Sequence, residues 1–209
     1  MSNWDTLHLR FSTTVRDTVS VASTDGDELS VEDRDSYLNY AYEKYIGLVA
    51  EYNPEVLNIF LQELLQGDTI TPSGGIAALP ADFGYFVGLS GGSGVTIRKP
   101  SNDEWLKIKS SNLLQNQPSV TYVYIQVIGS VLQVIPATFE SPCEILYIKF
   151  PQSIVQGGAD DLSLKPLHWG SIISFAKAEY YRDKGDFEIA ISIENDAILR
   201  SPIKIGVVK

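Results

Sequence analysis

Residues 88–92 read Gly-Leu-Ser-Gly-Gly, the G-x-S-x-G spacing with which α/β hydrolases raise a serine nucleophile on a tight strand-to-helix turn. Asp160, Asp161 and His168 follow in the chain order of such a triad. The chemistry would be acyl transfer through Ser90 with His168 as base. That elbow needs a helix directly after the serine. Here Gly94-Val-Thr-Ile-Arg98 alternates like a strand, so Ser90 is expected in a glycine-serine hairpin and no catalytic residue is assigned. The same glycines end in no Gly-Lys-Ser/Thr and open no helix, which removes a phosphate-cradling loop. His8 and His168 lack Cys, His or carboxylate partners at ligand spacing. Asp25, Asp27 and Glu28 lack the alternating order of a calcium hand, so neither metal nor cofactor is expected. Cys143 is the single cysteine. Set in the apolar run Cys143-Glu-Ile-Leu-Tyr-Ile, it reads as a small buried hydrophobe and not as a nucleophile. The chain is read as a non-enzyme.

The 209 residues are 44% hydrophobic and 20% charged, an ordinary globular composition with room for one sizeable core, or one core and a helical appendage. No apolar run approaches the roughly 20 residues that span a bilayer. The opening Met1-Ser-Asn-Trp-Asp lacks the basic flank and apolar stretch of a secretory leader. The net charge is −10. Proteins that grip nucleic acid cluster Lys and Arg to neutralise phosphates, and the nearest candidate here is Ile97-Arg98-Lys99-Pro100. An acidic surface of this kind lets DNA pass without holding it.

Positioning elements follow from periodicity. Trp4, Leu7, Phe11, Val15 and Val19 recur at three- and four-residue steps and predict a helix, although the Thr- and Val-rich text leaves a strand open. Ser30-Val-Glu-Asp33 has capping-box spacing and opens a helix with Leu38, Ala41, Tyr42, Tyr45, Ile46 and Val49 on one side. Asn53-Pro54 restarts a helix whose apolar face is Val56, Leu57, Phe60, Leu61, Leu64 and Leu65, ended by Gly67. From Asp68 the text is β: Phe83–Leu89, Val95–Lys99, Trp105 with Ile108, Val120–Ile128, Val131–Ile135 after a Gly129-Ser130 turn, and Cys143–Phe150. Lys165-Pro166 restarts a helix with Leu167, Ile172, Ile173, Phe175, Ala176, Glu179 and Tyr180 on its apolar face. Asp186 caps a last one carrying Phe187, Ala190, Ile191, Ala197 and Ile198. The reading is α+β: residues 1–67 and 164–200 form one helical bundle, residues 68–163 form an antiparallel β-sandwich or barrel-like insert without helices, and residues 201–209 form an extended tail beginning at Pro202. The tyrosines at 37, 40, 42, 45 and 52 suit either a contact surface or a core.

The break Lys184-Gly185-Asp186 between two helical stretches looks like one tetratricopeptide corner, yet nothing similar stands about 34 residues away, as an array requires. Three stretches in order carry a different likeness: "LSVEDRDSYLNYAYEKYI" (29–46), "ALPADFGYFVGL" (78–89) and "LKPLHWGSIISFAKAEYYRDKGDFEIAISIENDAI" (164–198). Their marks are Tyr37-Leu38-Asn39-x-Ala41, Leu79-Pro80-x-Asp82 and Gly185-Asp186-x-x-x-Ala190. Together they resemble the head-to-tail adaptor proteins of tailed bacteriophages, the group that includes podovirus tail tubular proteins and neck ring proteins. The resemblance spans most of the chain from Leu29 to Ile198.

It implies a structural virion protein, made in the host cytoplasm, that forms a ring of about twelve copies in the phage neck around a closed rotational axis. The ring would join the portal on one side to a further neck or tail protein on the other. DNA would cross its lumen without specific binding, and no membrane is involved. Candidate contact residues are Ile203, Ile205 and Val207, which alternate after Pro202 and could add as a strand to a neighbour's sheet edge, together with Tyr42 and Tyr45. The alternative is a monomeric β-sandwich module binding carbohydrate or protein, with helical flanks and an aromatic platform from Trp105, Tyr122 or Tyr124.

Overall fold

The computed structural model describes residues 2–16, 29–52, 54, 57–110, 119–158 and 161–201. Val19, Asn53, Val56 and residues 202–209 fall outside that set. The described chain is α+β and divides into two compact units, residues 1–64 with 151–209 and residues 65–150. The expected boundaries, 67/68 and 163/164, therefore shift. Residues 151–163 join the helical unit because Ile154 and Leu162 are buried there among helix side chains.

Four long helices build the first unit: α1 (Asn3–Arg16), α2 (Val31–Tyr52), α5 (Pro166–Asp183) and α6 (Phe187–Arg200). α1 is a helix and not a strand; its Trp4, Leu7, Phe11 and Val15 are all buried on one side. Ser30 caps α2, its Oγ accepting the Asp33 amide at 3.0 Å, and the six expected core residues of α2 are all buried. α5 is the hub and touches α1, α2 and α6. Of its expected face Ile172, Phe175, Ala176 and Tyr180 are buried, Ile173 and Glu179 are partly buried, and Leu167 is 56% exposed; His168 and Trp169 are buried in its place at the start of the helix. The third expected helix is short. α3 spans Leu57–Phe60, a 3-10 turn covers Gln62–Leu64, and Leu65 and Gly67 already belong to a strand.

The corner between α5 and α6 is a Schellman closure. Asp186 N–H donates to Tyr181 C=O at 2.9 Å and Gly185 N–H to Arg182 C=O at 3.0 Å. Gly185 sits at φ +84°, a conformation natural to glycine. Asp186 precedes α6 but makes no side-chain cap bond, contrary to the expected role. Ala190 and Ala197 are the buried residues of α6, and their small side chains let it lie close to α5.

The second unit has two sheets: β1 (Leu65–Ile70), β7 (Cys143–Lys149) and β3 (Phe83–Ser90) in the order β1-β7-β3, and β2 (Ile76–Ala78), β6 (Val131–Ile135), β5 (Tyr122–Ile128) and β4 (Thr96–Arg98) in the order β2-β6-β5-β4. They do not close into a barrel, and they share one core that includes Ile70, Val123, Ile125, Leu132, Val134, Cys143, Ile145 and Tyr147. Pairing is antiparallel except that β4 and β5 run parallel. Parallel neighbours need a crossover, and this one contains a helix that the all-β expectation missed, α4 (Asn102–Ser110). Ser101 starts it, accepting Glu104 N–H on Oγ and Trp105 N–H on its carbonyl.

The Leu79-Pro80-x-Asp82 mark has a mechanical reason. Phe83 N–H closes a turn on Pro80 C=O at 3.0 Å, Tyr147 Oη donates to Asp82 Oδ1 at 2.8 Å, and Phe150 N–H donates to Asp82 C=O at 2.7 Å. Burial and the Asp82 carboxylate push the Tyr147 phenol up to about 12. Gly84 completes the join, since a Cβ there would lie 2.8 Å from Ile148 O and 2.9 Å from Phe150 N. Urea unfolding of Gly84→Ala is expected to show a loss of about 2 kcal/mol because backbone must move. Gly185→Ala is expected to lose about 1 kcal/mol; equal stability of both variants to wild type would contradict the close approach and the αL closure.

Candidate functional site

The residues that could have formed a triad serve elsewhere. Ser90 ends β3 and is followed by the Gly91–Gly94 turn into β4, with no helix after it. His168 is buried in the helical unit, where its Nδ1 lies 2.7 Å from Tyr45 Oη. Asp160 and the acidic residues 25, 27 and 28 lie outside the described residues. Asp161 caps α1, accepting the amides of Asn3 at 3.0 Å, Trp4 at 2.8 Å and Leu162 at 2.8 Å. Partial burial works to raise its pKa, but these amides prevail and hold it below the usual carboxylate range. Cys143 is buried in the β core, and burial pushes its thiol up, away from thiolate character. Among the described residues no group of three or more His, Cys, Asp or Glu could hold a metal ion. No helix among them is long and apolar enough to cross a membrane.

The sequence reading missed a buried polar clamp on α2. Asp35 Oδ1 accepts Trp4 Nε1–H at 2.8 Å and lies 2.7 Å from His8 Nε2, and the Gln156 amide reaches both carboxylate oxygens at 3.2 Å. One turn on, Asn39 makes two bonds with Ile154, donating to its carbonyl and accepting its amide, each at 2.8 Å. Two α2 side chains thereby hold the extended segment after β7 as a neighbouring strand would. The contact with Asp35 puts the imidazole proton on Nε2. Burial pulls the His8 pKa below its ordinary 6.5, a pull that the Asp35 hydrogen bond and charge only partly offset. A helix-spaced Asp-x-x-x-Asn pair on an otherwise apolar face was the one signal available for this clamp.

A second ionic cluster braces the α5–α6 corner. Glu194 takes Arg182 at 2.7 Å and Lys44 of α2 at 2.8 Å, while Arg182 also pairs with Glu179. Burial opposes the charge on Glu194, but its two cations hold its pKa down. Tyr37 Oη donates to Asp183 at 3.0 Å beside them.

Of the expected contact residues, Tyr42 and Tyr45 are corrected to core. They are 3% and 0% exposed, so no neighbour can reach their side chains. Ile203, Ile205 and Val207 lie outside the described residues. The aromatic platform of the alternative reading is also corrected: Trp105 is buried on α4 and Tyr124 is buried on β5, which leaves only Tyr122 partly exposed. What the sequence did not mark is the outer side of α6. Phe187 is 59% exposed, Ile191 56% and Leu199 69%. The buried residues of this helix are Ala190 and Ala197.

Compared with known protein families and with curated protein sequences, the chain matches none.

Two outcomes follow from the clamp. Asp35→Ala strands the buried Trp4 indole donor and the partly buried backbone amide of Gln156 and is expected to cost about 3 kcal/mol in chemical denaturation. The unfolded chain protonates His8 below about pH 6.5, whereas the folded chain resists until lower pH, so this contribution is whole above 6.5 and shrinks as pH falls through and below it. His8→Gln, which keeps a donor toward Asp35, should flatten the fall in thermal midpoint over that window; an unchanged slope would contradict the assignment.

Proposed function

We propose that this chain is a structural protein of the phage neck, assembling with identical copies into a ring that joins the portal to the tail and continues the DNA channel. The observation that carries the proposal is the outer face of α6. A 14-residue helix that keeps Phe187, Ile191 and Leu199 more than half exposed is built to be covered by another surface. A ring supplies that cover through a head-to-tail contact repeated around an axis. The helices α1, α2, α5 and α6 act as the bundle that carries this face, braced by the Glu194 cluster so that it is presented rigidly. Three features taken from the resemblance have local supports of their own: Asn39 holds the returning segment, Asp82 locks the entry to the β unit, and Gly185 closes the corner.

The acidity supports a conduit. α2 and α6 expose Glu32, Asp33, Glu43, Glu51, Glu188 and Asp196, and a negative lumen repels phosphates and leaves no sticking points for moving DNA. In this reading residues 202–209 contribute to assembly through Ile203, Ile205 and Val207, and the protein resides in the virion.

Negative-stain imaging and native mass measurement of the purified chain, alone and mixed with the portal protein encoded in the same genome, test the reading. Closed rings are expected on the portal. Phe187→Ser with Ile191→Ser should abolish them while the circular dichroism of the free chain is unchanged and its unfolding free energy stays within about 1 kcal/mol of wild type. A chain that never associates with portal or with itself would overturn the proposal.

A further inference from the structure

The outer face of the three-stranded sheet carries an open slot. In register across it stand Gly67, Leu146 and Gly88 in one row and Thr69, Glu144 and Ser90 in the next. Leu146 is 37% exposed, with a glycine on each side. Neither glycine has a positive φ. A Cβ at position 88 would meet nothing within 4 Å, and one at 67 would meet only Leu146 Cδ1, at 3.8 Å, and Ile145 O, at 4.0 Å. Glycine weakens a strand; Gly88 follows a register shift in β3 after Phe86, while at Gly67 no turn, bulge or close internal approach is involved, and the two missing side chains leave space for another chain. The result is an open groove of about 630 Å³, bordered by Asp68 and Glu144, with no basic residue in its lining.

We propose that this groove receives residues 202–209 of a second copy. That segment, Pro-Ile-Lys-Ile-Gly-Val-Val-Lys, has no acidic residue and two lysines, Lys204 and Lys209, which complements the acidic border. Ile203, Ile205 and Val207 fall on one side of an extended chain and match an apolar floor at Leu146. Lys204 falls on the opposite side of the extended chain, and its long flexible stem lets the ammonium bend round to Glu144 at the border. The proposal rests on the ring reading for the presence of neighbouring copies, and it names the surface on which one copy grips the next.

The test mixes two differently tagged full-length chains, one carrying Ser90→Cys and the other Ile205→Cys, under mild oxidation, with cross-links mapped by mass spectrometry. A 90–205 link between copies is expected. Gly88→Val in the first chain, which fills open space without backbone strain, should remove it. Lys204→Glu in the second should cut its yield roughly tenfold, and Glu144→Lys in the first should restore it. Absence of the link, or a link formed only inside a single chain carrying both cysteines, overturns the proposal. Imaging of the same mixtures on the portal separates the two ideas: rings without the link reject this groove alone, whereas the link without rings supports the groove and counts against the ring.

Discussion

The helical unit depends on two polar side chains one turn apart on α2. Asp35 and Asn39 are the points at which the chain, returning from the β unit, is fastened before α5 begins. Without them the backbone of residues 154–156 would lose these partners as it runs beside a helix, and buried amides without partners are costly. Asp35 also takes the Trp4 indole and His8, so the first helix and the returning segment meet on one carboxylate. That shared anchor is what lets the two ends of a 209-residue chain act as one folded unit.

From that anchor the rest of the unit is placed by size. Large side chains of α1, α2 and α5 fill the interior, and α6 comes close to α5 through Ala190 and Ala197. A helix held by small residues has little choice about where its large ones go. Phe187, Ile191 and Leu199 are left on the outside, and the Arg182–Glu194–Lys44 cluster restrains the helix that bears them. In the proposed ring this exposed face would be the contact surface.

Much of this was legible in the sequence and some was not. Local signals read well: the Ser30 cap, the α2 stripe from Leu38 to Val49, the Gly129-Ser130 hairpin and the break at Gly185. Failures came where tertiary neighbours outvoted local text. Leu65 and Gly67 looked like the end of a helix, but pairing with Ile148 and Leu146 draws them into β1. Trp105 and Ile108 looked like strand residues, although their three-residue spacing and the Ser101-x-x-Glu104 capping pattern were helical signs. Phe187 and Ile191 were legible as apolar residues of the last helix, but periodicity cannot tell which neighbour a helix will find and so which of its apolar residues stay exposed. The polar clamp was missed for a related reason: the Asp35-x-x-x-Asn39 spacing marks polar residues on an apolar face, but Asp35 and Gln156 are joined across 121 positions and no local pattern names such a partner.

Hydroxyl-radical footprinting of α6, in the free chain and in the chain mixed with the portal protein of the proposed assembly, bears most directly on the proposal that this helix face is covered by another surface. Strong labelling of Phe187, Ile191 and Leu199 in the free chain, lost on assembly, is the predicted result. Equal labelling of the three residues in both states would contradict it.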